Sequence, residues 1–305
     1  MYPNINSGIG QLMANALASN PSTGRVFIVC AAGLTTIKPE IDAMYGNGYA
    51  DGTAIVYTTL AAALASCVAS RGDTILVAPG HTETVVGADG IAFTSTAVGA
   101  TIIGLGRGAS RPTITFTTST AAQVVVDQAN VTLKNLVFVC GIDAQVAMIS
   151  VTAADVTFDG CELRTNSGTI GAVLGILTAA TATRFVWTNG RAVGPATNSG
   201  TTTTAQIKHE VGIDYVISNS YFTGKMTQSI LNATTILGGL IDNNRFVVAT
   251  GTVAITMAAA STPFISNNRM NVPSGTAPIV AAAGFVAGNV YSAAAGVTAG
   301  TASTI

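Results

Sequence analysis

The chain has 305 residues, 49% of them hydrophobic and 9% charged, with a formal net charge of −1. That balance excludes a nucleic-acid binder built on a basic footprint, and no uninterrupted run of about 18 apolar residues offers a membrane span. The apolar content is Ala, Val and Ile interleaved with Thr, Ser, Asn and Gly, a mixture that suits short strands and leaves a surface that meets other protein.

Residues 1–56 stand apart and read as an N-terminal attachment or capping segment. Gln11 to Ala18 has helix formers with apolar residues three and four apart, and Asn20-Pro21 stops it. Arg25 to Cys30 reads as a buried strand, and Pro39 to Tyr45 as a short helix with proline in its first turn. The start of the chain shows no basic stretch followed by a long apolar run, so release by lysis or assembly is expected rather than secretion.

Thr58 to Val68 is the strongest helix signal, capped by Thr58 or Thr59, with Leu60, Leu64, Cys67 and Val68 on one face. Gly72 to Val85 then reads as turn, strand, turn, strand. A helix followed by Gly72-Asp73-Thr74-Ile75-Leu76-Val77-Ala78-Pro79-Gly80, and then by the stretch from Thr101 to Phe116, resembles the opening of right-handed parallel β-helix proteins of the pectin-lyase-like fold. The resemblance covers about residues 53–291 and implies an all-β solenoid over 57–291, followed by a tail or cap over 292–305. It is specific for fold and nearly silent on activity.

Internal repetition supports the same fold independently. Ile217-Ser218-Asn219-Ser220-Tyr221-Phe222 returns as Ile241-Asp242-Asn243-Asn244-Arg245-Phe246 and as Ile265-Ser266-Asn267-Asn268-Arg269-Met270, at a period of 24. Looser copies begin at Leu133, Phe158, Trp187 and Val286, and Ile103 extends the series upstream. Such a period means stacked supersecondary units. Asn135, Asn189, Asn219, Asn243 and Asn267 are expected to form a structural ladder of inward asparagines at a tight corner, with Gly160 and Gly288 at equivalent positions. The repeat lengthens around the Thr-rich segment 198–204, which reads as a protruding loop.

Chemistry is harder to find. Glycoside hydrolysis needs two carboxylates about 5 to 9.5 Å apart, whereas Asp159 and Asp242 share an outward row three coils apart, about 14 Å. Asp159 and Glu162 flank a turn, Asp155 and Asp159 fall short of a calcium cluster, and His81 and His209 read as exposed histidines without a nucleophile. Cys30, Cys67, Cys140 and Cys161 lack zinc spacing and read as buried small hydrophobes. No catalytic residue, metal ligand or cofactor is expected, and the chain is expected not to be an enzyme. One outward row stands out as a candidate contact stripe for a neighbouring subunit or an anionic glycan: Glu162, Arg191, Tyr221, Arg245 and Arg269. Resemblance to bacteriophage virion β-helices implies a structural protein on the particle exterior, of capsid-decoration or head-fibre type. Its expected partners are two further copies of itself and other capsid or tail proteins, with neither nucleic acid nor membrane. The alternative is a tailspike that binds host surface glycan, with a polysaccharide lyase or hydrolase behind it.

Overall fold

The computed structural model describes residues 24–293 apart from 89, 198–203, 211, 250, 259–260, 274–277 and 281–284. The expected helix at 11–18, the Thr-rich loop up to residue 203 and the tail beyond 293 lie outside the described residues.

The chain is an all-β parallel solenoid of about ten turns. Each full coil adds one strand to each of three sheets, which hold 11, 9 and 8 strands in chain order, except that Val56–Tyr57 lies outside Val26–Val29 at the start of the first. A small fourth sheet pairs Gly212–Ile213 with Ile236–Leu237. Parallel neighbours need a crossover connection, and here the other two sheets supply it, in the right-handed sense that twisted strands favour.

Register explains why the repeat is legible. In the first sheet Phe27, Ile75, Ile102, Leu133, Phe158, Trp187, Ile217, Ile241, Ile265 and Val286 stand one above another. They point into one continuous core with residues such as Phe138, Phe222 and Phe246 of the second sheet. Phe222 and Phe246 stack with centroids 4.9 Å apart, about one strand spacing. Leu133 pairs with Ile102, so the upstream rung is Ile102 rather than the expected Ile103. Ile103 faces outward beneath the N-terminal segment, and its apolar character there mimics a core position.

The corner between the first and second sheets also departs from expectation. Asn135, Asn189, Asn219, Asn243 and Asn267 adopt φ between 51° and 56°, the left-handed region where asparagine and glycine are best tolerated. Gly160 and Gly288 take φ 63° at the same place. That conformation breaks the alternation of a strand, so Asn189, Asn219, Asn243 and Asn267 are exposed and not inward. Some still bond along the outside: Asn243 Nδ2 donates to Asn219 Oδ1 at 2.8 Å and Asn267 Nδ2 to Asp242 Oδ1 at 2.8 Å.

The inward residue is the next one. Asn244 and Asn268 are buried. Each accepts, through Oδ1, from the amide of the corner residue one coil below: Ser220 N to Asn244 and Asn244 N to Asn268, both at 2.9 Å. Asn289 accepts from Asn268 N in the same way, at 2.9 Å. Their Nδ2 groups donate to the carbonyls of Ile217, Ile241 and Ile265. Lower in the stack this row is Leu136, Cys161, Gly190 and Ser220. Glycine is required at 190 because a Cβ there would come within 2.4 Å of the Trp187 indole.

The described part of the N-terminal segment joins the solenoid. Val26–Val29 and Val56–Tyr57 are strands of the first sheet. Helix α1 (Ile37–Tyr45) buries Ile41 against Ile28, Leu76 and Ile103 on the outer face of that sheet. Helix α2 (Leu60–Ala65) is shorter than the sequence implies. Thr59 caps it by accepting from Ala62 N, and it plugs the lower end of the core with Leu60, Ala63 and Leu64. Val68 lies beyond its end and is 49% exposed, so it does not share the apolar face. Buried Asp73 ties these pieces together by accepting from Arg71, Val68 N and Arg25 N. Burial works to raise its pKa, but those hydrogen bonds win and hold the carboxyl below the usual range.

The two corner positions should respond differently to substitution. Asn268→Ala strips partners from buried amide and carbonyl groups and should cost about 2–4 kcal/mol in denaturant unfolding. Asn267→Gly keeps the left-handed backbone accessible and should stay within about 1 kcal/mol of the parent.

Candidate functional site

The sequence-selected row lies on the outer face of the second sheet. Register places Glu162, Arg191, Tyr221, Arg245 and Arg269 on five successive rungs. A strand spacing of about 4.8 Å makes the row roughly 19 Å long. Its lower end is closed upon itself. Glu162 Oε2 receives Arg111 Nη1 at 3.0 Å, and Arg191 Nη1 lies 3.6 Å from Glu162 Oε1. Arg111 also donates to the carbonyls of Leu136 and Gly160, so it braces adjacent coils. Glu162 is thereby committed and does not form a carboxylate pair with Asp159.

Higher up the row is open. The Tyr221 ring sits between two guanidinium groups, with Arg191 Cζ at 5.9 Å and Arg245 Cζ at 5.6 Å from its centroid. Arg191, Arg245 and Arg269 are all exposed. Arg245 and Arg269 make no ion pair among the described residues. The arrangement can hold carboxylate, sulfate or phosphate groups through forked hydrogen bonds at single-coil intervals.

Acids collect on the neighbouring face. Asp159 and Asp242 stand on the outer side of the first sheet, three rungs apart. Asp159 Oδ1 accepts from Asn189 Nδ2, while Asp242 Oδ1 accepts from Ser266 Oγ and Asn267 Nδ2. Asp155 is paired with Arg184 and its carboxyl is held low by that guanidinium. Among the described residues no group of three or more His, Cys, Asp or Glu side chains could hold a metal ion, and no helix is long and apolar enough to cross a membrane.

Both histidines are buried, which corrects the expectation that they are exposed: His81 is 1% and His209 3% accessible. His81 Nε2 lies 3.3 Å from Glu83 Oε2, an oxygen that also accepts Leu60 N at the start of α2. His209 occupies a core rung between Thr178 and Asn232. Its Nδ1 is 2.7 Å from Thr178 Oγ1, and its ring stacks on Tyr215 at 4.3 Å. Sequence reading missed this cluster because Thr178 and Asn232, on the coils below and above, lie 31 and 23 residues from His209 and share no local motif with it. Burial pushes His209 down to about 3 and lifts the Tyr215 hydroxyl well above its ordinary value. All four cysteines are free and buried. Burial pushes Cys67 and Cys161 up to about 12 and Cys140 up to about 11, so they are unreactive thiols.

Compared by sequence, the chain matches no protein-family model and none of the curated proteins. Compared by structure, it is similar to an endo-xylogalacturonan hydrolase from Aspergillus tubingensis. The identity is 12% and the TM-score 0.44, over 89% of this chain and 94% of that one. The expectation that the chain is not an enzyme is withdrawn: this similar structure is a hydrolase. A likeness at this level concerns the fold and gives the chain neither an activity nor a substrate.

His209 makes stability pH-dependent. It binds a proton in the unfolded chain below about 6.5 but in the folded chain only near 3. Stability is therefore complete above about pH 6.5 and falls as the pH drops toward 3. Calorimetry from pH 7 to 5 should show a loss on the order of 2 kcal/mol from this group, and His209→Gln should flatten that part of the profile.

Proposed function

We propose that the chain is a structural protein of a bacteriophage particle. In this reading it is a shaft of capsid-decoration or head-fibre type, held by its N-terminal segment and displayed on the exterior as a homotrimer. The observation that carries the reading is the unbroken in-register stack of coils, hydrogen-bonded along its axis through buried side chains. That construction yields length and rigidity from short, weakly charged repeats. A chain with 9% charged residues, and with exposed Phe264, Phe285 and Val290 toward its upper end, favours a protein that works among other proteins.

A second reading has one specific observation in its favour. The open part of the row, Tyr221, Arg245 and Arg269, is suited to an acidic host-surface glycan, as in a tailspike or receptor-binding protein.

Purified particles decide between these readings. Labelling with antibody against the chain and electron microscopy should place it in regular copies on the head. Label confined to the tail would favour the glycan-binding reading, and its absence from particles would overturn both.

A further inference from the structure

We propose that the outer faces of the first and second sheets are the two halves of one contact between copies of this chain. The first sheet of one copy lies against the second sheet of the next. This rests on the assembling-shaft reading above and specifies its interface.

The corner joining the two faces sets the geometry. Only two residues separate Asp242 from Arg245, Ser266 from Arg269, and Ala287 from Val290. A whole coil rises by about 4.8 Å, so the two members of each pair stand at nearly one height. Copies placed side by side and related by rotation about an axis parallel to the shaft preserve that height. Each rung of one first sheet then meets the same rung of the neighbour's second sheet.

Rung by rung, the faces are complementary. Asp242 meets Arg245, which makes no ion pair of its own among the described residues. Phe264, 41% exposed, meets the rung of Arg269, a ring facing an open guanidinium. Phe285, 58% exposed, meets Val290, 62% exposed. Lower down, Asp159 is level with Glu162, but Glu162 is already neutralised by Arg111 and Arg191.

The chain itself shows what this face accepts. At the N-terminal end the outer side of the first sheet is covered by α1, with Ile41 on Ile28, Leu76 and Ile103. At the other end Phe264 and Phe285 stand uncovered with centroids 6.3 Å apart. An acidic glycan would engage the arginines but make no use of the carboxylate at 242. A second copy uses both signs of charge and the apolar rungs. Such a contact joins unlike surfaces, so it closes only as a ring, and three copies is the closure proposed.

Size-exclusion chromatography with light scattering on the full chain tests this, using Arg245→Asp, Asp242→Arg and the double reversal. The expected result is a trimeric wild type, at least tenfold weaker association for each single reversal, and recovery in the double variant. Asp242 also bonds Ser266 and Asn267, so that variant is paired with a second measurement. Arg245→Lys protein, mixed from heavy- and light-isotope copies, is treated with a carbodiimide. Mixed-isotope crosslinks between the introduced lysine and Asp242 are expected.

A wild-type oligomer that tolerates each single reversal, or same-isotope crosslinks alone, overturns the contact and leaves the assembling shaft standing. A wild type that is monomeric at every concentration overturns both. An unchanged Arg245→Asp oligomer that has lost binding to polygalacturonate, used as probe, would assign the row to a glycan and overturn the contact.

Discussion

The solenoid depends on one constraint: each strand residue sits directly on its counterpart one coil away. Parallel pairing at about 4.8 Å leaves no room for a rung that disagrees with its neighbours. Apolar rungs satisfy the constraint by stacking, as Phe222 does on Phe246. Polar rungs satisfy it only if each donor finds an acceptor above or below, and the row Ser220, Asn244, Asn268, Asn289 does so through main-chain and side-chain bonds together. A polar group left alone inside would cost on the order of 1–3 kcal/mol. Once begun, such a row favours its own continuation.

The same constraint explains how much could be read from the sequence. The leading apolar residues from Leu133 to Val286 form the core row as their spacing implies, because a repeat of side-chain type is a repeat of position. Helix α1 and the strand at Val26–Val29 were likewise legible from proline placement and apolar content. The corner escaped. Asn243 and Asn267 share the face of Ile241 and Ile265 only if the strand continues, and a left-handed residue ends it. The doublets Asn243-Asn244 and Asn267-Asn268 contained the signal: one asparagine for the backbone and one for the buried ladder. Ile103 was misread because a residue covered by α1 is as apolar as a core residue.

The candidate site was legible as a row and not as an environment. Period alone placed Glu162, Arg191, Tyr221, Arg245 and Arg269 on one line. It could not show that Arg111, 51 residues before Glu162, closes the lower end of that line. Nor could it show that His209, Thr178, Tyr215 and Asn232 gather in the core from neighbouring coils. Contacts of this kind are made between turns of the solenoid, where sequence distance carries no information about proximity. The charges left open at Arg245 and Arg269 lie beside a face bearing Asp242 and exposed phenylalanines. The surface chemistry is thus set by the same coil-to-coil stacking that sets the core.

Residue-resolved amide hydrogen exchange tests that stacking most directly. The Asn244 and Asn268 amides donate to side-chain oxygens one coil away and should exchange among the slowest in the chain, near the rate of global unfolding. Exchange at those two amides as fast as in exposed turns would contradict the account.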